Sequence, residues 1–278
     1  MSQVALQFES VSFTYPGADR EKPSLHNVSL EVLEGERLGI LGPNGGGKTT
    51  LVKLAMGLLD AQQGTVAVFG ETPERAARQG VIGYVPQRCE AELSFPVSVR
   101  QMIEMGAWRG LRPLQRVPRE RRELVTEAIG LVGASHFADK HVGKISGGQL
   151  QRTLIARALA SGPRMLIMDE PTVGIDPSGQ LRFAEVVERV RQRFNLTVVI
   201  VSHDVRAIAA GCDRVACLAT TLHSHTSPEG LTPEVLAEVF QHDVAPVFGD
   251  VHVHAHPAES CQDPSHRHSA GQSGGGDR

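Results

Sequence analysis

Arg37-Leu38-Gly39-Ile40-Leu41 runs straight into Gly42-Pro43-Asn44-Gly45-Gly46-Gly47-Lys48-Thr49, and the stretch from Thr50 to Leu59 follows. The first five residues read as a short apolar strand. The last ten put Leu51, Leu54, Ala55 and Leu58 on one face of a helix. The loop between them fits the pattern G-x-x-x-x-G-K-[ST], in the strand–loop–helix setting that its mechanism requires. Glycines let the backbone fold around anionic oxygens and present successive N–H donors. The helix behind them aims its unpaired N–H groups and the positive end of its dipole at the same point. Gly42 to Gly47 are therefore candidate phosphate-cradling residues. Lys48 is suited to the β- and γ-phosphates of a nucleotide, and the Thr49 hydroxyl to Mg²⁺. Thr50 reads as a helix residue that supplements the phosphate contacts.

Working outward, Val4 to Phe13 alternates like a half-buried strand. Val81 to Val85, Met165 to Met168, Thr197 to Val201 and Arg214 to Leu218 are short apolar runs separated by helical patterns. That alternation implies an α/β fold with a largely parallel, buried sheet. Between Gln87 and Ala160 strand-like runs vanish, and Val99 to Trp108, Arg119 to Val132 and Gln149 to Ala160 read as helices. We expect a helical subdomain over about 88–160 within a nucleotide-binding domain of 1–222. An extension of 223–250 follows, with a short helix from Pro233 to Phe240 capped by Thr232. Residues 251–278, rich in His, Pro, Ser and Gly, read as a flexible tail.

Composition excludes several classes. The chain has 278 residues, 41% of them hydrophobic, enough for a sizeable core. Its 28 basic and 31 acidic residues leave a net charge of -3, and only 4% are aromatic. Neither a positive field nor stacking platforms for nucleic acid are implied. The longest apolar runs are far shorter than the roughly 20 residues that span a bilayer. The N-terminus carries no signal-like pattern. Cys89, Cys212, Cys217 and Cys261 lack metal spacing and suit a reducing compartment.

Met165-Leu166-Ile167-Met168-Asp169-Glu170 is a buried strand ending in two adjacent acids. Alternation would point them to opposite faces and so give them separate tasks. Asp169 suits the metal shell, directly or through water, and Glu170 suits polarising an attacking water. By itself such a pair reads equally as a turn or helix cap.

Ile145-Ser146-Gly147-Gly148-Gln149 resembles the signature motif of ATP-binding cassette ATPases, and the other family elements occur in the expected order over roughly residues 1–220. The resemblance implies a RecA-like P-loop core with a helical signature subdomain, ATP hydrolysis, and Mg²⁺ as cofactor. By the same resemblance Tyr15 stacks on adenine, and Gln87 senses Mg²⁺ and the attacking water. Ser146, Gly147, Gly148 and Gln149 bind the γ-phosphate held by a second copy. His203 contacts the γ-phosphate and positions the water, with Glu170 and Gln87 as its catalytic partners. Asp176 crosses the interface of a head-to-tail dimer enclosing two nucleotides. Two positions depart from the usual pattern. Ile145 stands where leucine is commoner, a volume-conserving swap. Val173-Gly174-Ile175 precedes Asp176 where Ser-Ala-Leu is commoner, which bears on the interface.

Phe95-Pro96-Val97-Ser98-Val99 with Met105-Gly106 resembles the helical region of ATPases serving zinc and manganese importers. The implied partners are integral membrane permease subunits and, indirectly, a metal-binding extracytoplasmic protein, with the ATPase peripheral on the cytoplasmic face. Three H-x-H units, His223 with His225, His252-Val253-His254-Ala255-His256, and His266 with His268, are chelating pairs in an extended chain. His252, His254, His256, His266 and His268 are thus a candidate Zn²⁺ site, and imidazole nitrogen favours zinc over manganese. A solvated, merely His-rich tail is the other reading. An importer ATPase for another small solute, a non-transport cassette ATPase and a metallochaperone are the alternatives to a metal importer.

Overall fold

The computed structural model describes residues 3–18, 22–87, 96–112, 114–173, 175–205, 208 and 211–240. Six strands form the main sheet in the order β5-β6-β7-β3-β8-β9: β3 (Arg37–Leu41), β5 (Ile82–Val85), β6 (Met165–Asp169), β7 (Thr197–Ser202), β8 (Arg214–Ala219) and β9 (Thr221–Thr226). All neighbours are parallel except β9, which runs antiparallel to β8. Both faces are buried, as a parallel sheet requires, so the strands read as continuous apolar runs. The expected largely parallel α/β architecture is the one observed. β9 runs through position 222 and carries His223, whose Nε2 lies 3.3 Å from Thr221 Oγ1.

A second, antiparallel sheet of β1 (Val4–Phe13), β2 (Leu25–Leu33) and β4 (Gln63–Val68) has the order β2-β1-β4. Only β1 was legible as a strand. β2 (LHNVSLEVL) also alternates, buried at Leu25, Val28, Leu30 and Val32, but its polar content hides the period. Between the two sheets lies α1 (Lys48–Ala55). Its Leu51 and Leu54 join Phe8 and Leu30 of one sheet and Met165, Ile167, Val199 and Val201 of the other in one core. That core fixes the phosphate loop, because α1 begins where the loop ends.

The insertion contains α3 (Val99–Ala107), α4 (Arg119–Leu131) and α5 (Gly147–Leu159); α2 (Pro73–Gln79) precedes it. Ser98 caps α3 in a reciprocal box with Gln101, and Gly106 sits where α3 crosses α5. A Cβ at 106 would lie 1.9 Å from the Arg157 carbonyl oxygen, so helix packing by itself accounts for the glycine of Met105-Gly106. Phe95 lies outside the described residues, as do Gly174, Cys89, Cys261, the whole 251–278 segment and its candidate histidines. α7 (Pro233–Phe240) begins at a Thr232 cap, where Val235 N–H donates to Thr232 Oγ1 at 3.4 Å. Among the described residues no helix is long and apolar enough to cross a membrane.

At the base of the sheet, α6 (Pro177–Phe194) is tied to β3 by a charged network. Glu188 accepts from Arg191 and Gln192 and pairs with Arg37 at 3.0 Å. The hydrogen bond from Arg191 is the main reason its carboxyl is held at about 2 rather than 4.5. A depressed native pKa contributes stability that is fully present above the unfolded value and lost as pH falls through the folded one. Urea midpoints should therefore fall between pH 4.5 and about 2 more steeply in the native chain than in Glu188→Gln. Equal slopes would remove the network from acid stability.

Candidate functional site

The phosphate loop is built by backbone contact. A Cβ at Gly42 would lie 1.9 Å from the Leu218 carbonyl oxygen, so the end of β8 presses directly on the loop. Thr220 N–H donates to Gly46 O at 3.0 Å and holds it from the same side. Gly47, with φ of 92°, turns the chain into α1 in the left-handed region, where only glycine is unstrained. No side chain caps α1, whereas Ser98 and Ser146 cap their helices in full boxes. The first N–H groups of α1 thus remain available for an anion.

Lys48 is buried, its Nζ donating to Gly42 O at 2.8 Å and Pro43 O at 2.9 Å. Burial lowers its pKa, while Glu170 and Asp169 act to raise it. Asp169 is held above the usual carboxylate range by burial and by Glu170; Lys48 and a hydrogen bond from Thr49 oppose that. Glu170 breaks the alternation expected of adjacent acids. β6 ends at Asp169, and Glu170 takes φ of 46° with its N–H donating to Val201 O at 2.7 Å. Both carboxylates nevertheless act electrostatically on Lys48.

Glu170 is also where separate segments meet. Its Oε2 accepts from Gln87 Nε2 at 2.8 Å, and its Oε1 lies 3.1 Å from His203 Nδ1. Gln87 follows β5 and His203 follows β7, so the sheet brings two sequence-distant groups to one carboxylate. A cavity of about 330 Å³ opens beside them, lined by Tyr15, Ser24, Asn44, Lys48, Thr49 and Gln87 among others. Tyr15 closes one end, edge-on to Phe13 at 5.1 Å and within 3.5 Å of the Thr50 hydroxyl. Ser24 was missed, since nothing in its sequence setting marks it.

Thr49 and Gln87 line this cavity, and the Thr49 hydroxyl hydrogen-bonds to the buried Asp169; hydroxyl, carboxylate and amide oxygens are a hard donor chemistry that fits Mg²⁺. Among the described residues there is no cluster of three His, Cys, Asp or Glu that would hold a softer metal.

The signature residues are not brought to this cavity. Ser146 caps α5, its Oγ accepting from Gln149 N–H at 3.3 Å, while Gln149 Oε1 accepts from Ser146 N–H at 3.0 Å. Ser146, Gly147, Gly148 and Gln149 line a separate cavity of about 430 Å³ together with Arg152, Asp176 and Arg182. The two cavities share no lining residue.

Residues 25–173 match the ABC transporter family. The chain belongs to that family. Its nucleotide-binding core is an ATP-binding cassette ATPase. The manganese transport system ATP-binding protein MntB of Listeria monocytogenes is 36% identical over 75% of this chain and 85% of that protein. The zinc import ATP-binding protein ZnuC of Paramagnetospirillum magneticum is 37% identical over 84% of each. Among solved structures, cbiO1 of Clostridium perfringens, part of the ABC transporter complex cbiONQ, superposes with a TM-score of 0.73 and 28% identity. That match covers 85% of this chain and 92% of the other.

The pressure of Leu218 on Gly42 makes a sharp expectation for this cassette. Gly42→Ala must push the loop off β8 and should weaken Mg-ATP binding at least about tenfold, roughly 1.4 kcal/mol. Fluorescent-nucleotide titration checks this, and unchanged affinity would show that the loop has slack.

Proposed function

We propose that this chain powers import of a divalent metal ion, two copies closing head-to-tail around two ATP molecules beneath membrane permease subunits. The carrying observation is the division of the site. Phosphate-loop and signature residues line different cavities of one chain, so a second chain is needed to bring them together. Gly148 supports this: a Cβ there would meet nothing within 4 Å in its own chain, which leaves that face open to an approaching ligand.

In this reading Lys48, the loop N–H groups from Gly42 to Gly47 and the first turn of α1 hold the phosphates, Thr50 supplements them, and Tyr15 packs against adenine. Thr49, Asp169 and Gln87 would hold Mg²⁺, which would supply charge neutralisation for the phosphates. Glu170 takes the proton of the attacking water at a carboxylate oxygen, oriented by Gln87 Nε2 and His203 Nδ1. Ser146, Gly147, Gly148 and Gln149 of the second copy close over the γ-phosphate with helix N–H groups. Asp176 spans the interface. The helical subdomain over about 88–160 follows the core through Gln87, which is hydrogen-bonded to the catalytic carboxylate.

Metal as cargo is supported by relatives named for manganese transport and zinc import. Zinc over manganese rests on the H-x-H units, whose nitrogen donors suit zinc. We take the tail over 251–278, beyond the extension of 223–250, as regulatory: His252, His254, His256, His266 and His268 would bind cytosolic zinc and damp transport. The protein then sits peripherally on the cytoplasmic face, and the permease receives metal from an extracytoplasmic binding protein.

Glu170→Gln should bind ATP and dimerise on gel filtration with ATP while turnover falls about 10²- to 10⁴-fold, the range for loss of a general base. Normal hydrolysis would remove Glu170 from its role. Failure to dimerise would sink the two-copy site. For cargo, ATPase activity with the permease in liposomes should rise more with zinc-loaded than with manganese-loaded binding protein. Calorimetry should show Zn²⁺ binding lost on deleting 251–278.

A further inference from the structure

The loop ahead of α6 holds a relay that the proposed chemistry does not use. Ser178 Oγ donates to Asp176 Oδ2, and Arg182 grips Ser178 twice: Nη2 to the hydroxyl at 2.9 Å and Nε to the carbonyl oxygen at 3.2 Å. We infer that Arg182 is a positioning residue for the interface aspartate, acting on Asp176 through Ser178. This rests on the two-copy reading above.

Donor arithmetic sets the direction of the relay. A guanidinium only donates, and a hydroxyl has one proton. With Arg182 occupying a lone pair of Ser178 Oγ, the single proton must turn to Asp176. The fork on hydroxyl and carbonyl together fixes the Ser178 rotamer, which a single bond would leave free to swing. Space on the other side is equally tight. A Cβ at Gly179 would lie 2.8 Å from Asp176 Oδ1 and 2.4 Å from Ile175 Cγ2, so the carboxylate lies folded over the first turn of α6.

The relay is exposed in the single chain, and exposed polar networks contribute little to folding. Its value appears when a second copy covers it and excludes water, where each bond strengthens. Among the described residues Arg182 makes no ion pair, while Arg152 in the same cavity feels it as a like charge. Arg182 is therefore held towards the loop by Ser178. Asp176 and Arg182 share that cavity with Ser146 and Gly148, so the relay sets the loop beside the signature residues that meet the second copy. The Ser178 bond is also the largest influence holding the Asp176 carboxyl below its ordinary value, with Arg182 adding to it.

Two readouts test this, one on the dimer and one on the single chain. Arg182→Ala should lower kcat about tenfold with KM for ATP and single-chain nucleotide affinity within about twofold, as for a group that acts only in the assembled site. Ser178→Ala should match it, the double variant should be no worse than either, and Ser178→Thr, which keeps the hydroxyl, should retain the native rate. An equal loss from Arg182→Ala in the Ser178→Ala background, or no loss at all, would overturn the relay. Independently, carboxyl NMR of Asp176 in the single chain should show its pKa rise in both alanine variants. An unmoved Asp176 overturns the relay whatever the ATPase does. A native chain that fails to hydrolyse Mg-ATP, while Asp176 responds as expected, counts against the functional reading and not against the relay.

Discussion

One ammonium and two carboxylates, each less than a tenth exposed, lie within electrostatic reach of one another at the phosphate loop, and the rest of the cassette is arranged around that imbalance. Lys48, Asp169 and Glu170 sum to one negative charge; burial, with Glu170 adding to it, raises Asp169, while Lys48 is held by backbone carbonyls. A divalent cation beside Thr49 and Asp169 would turn that sum positive, and a polyphosphate would then be the natural counter-charge. Substrate and cofactor each improve the site for the other. The uncapped N-terminus of α1 adds its partial positive charge at the same point.

Such a cluster can be buried only if its backbone frame is rigid. The frame comes from the sheet, not from the loop. β8 presses Leu218 O against Gly42, β6 delivers Asp169, and β7 supplies both Val201 O, which receives Glu170 N–H, and His203 at its end. Because α1 is wedged between two sheets in one core, any shift in the loop would have to move Leu51 and Leu54 as well. The charges are tolerated because packing gives them no alternative arrangement.

Much of this was legible because motif and period coincide. The loop, the apolar strands and the helices of the insertion each carry a pattern that packing merely completes. β2 and β4 escaped notice because an antiparallel sheet with a solvent face mixes polar residues into its strands. The left-handed backbone of Glu170 was not legible, since the apolar run gives no sign that β6 ends at Asp169. Ser24 and Arg182 had no local signal. Their importance lies in what the fold sets beside them, Ser24 at the phosphate-loop cavity and Arg182 at the signature cavity.

Gln87 and Asp176 occupy corresponding positions in the two halves of the machinery. Gln87 stands where the core leads into the helical insertion, and its amide reaches the carboxylate of Glu170. Asp176 stands where the loop after that same carboxylate leads into α6, and its cavity holds the signature residues. Glu170 is thus six residues from one junction and one hydrogen bond from the other. Both junctions lie close to one buried carboxylate, and the bond from Glu170 N–H to Val201 O fixes that residue to the sheet.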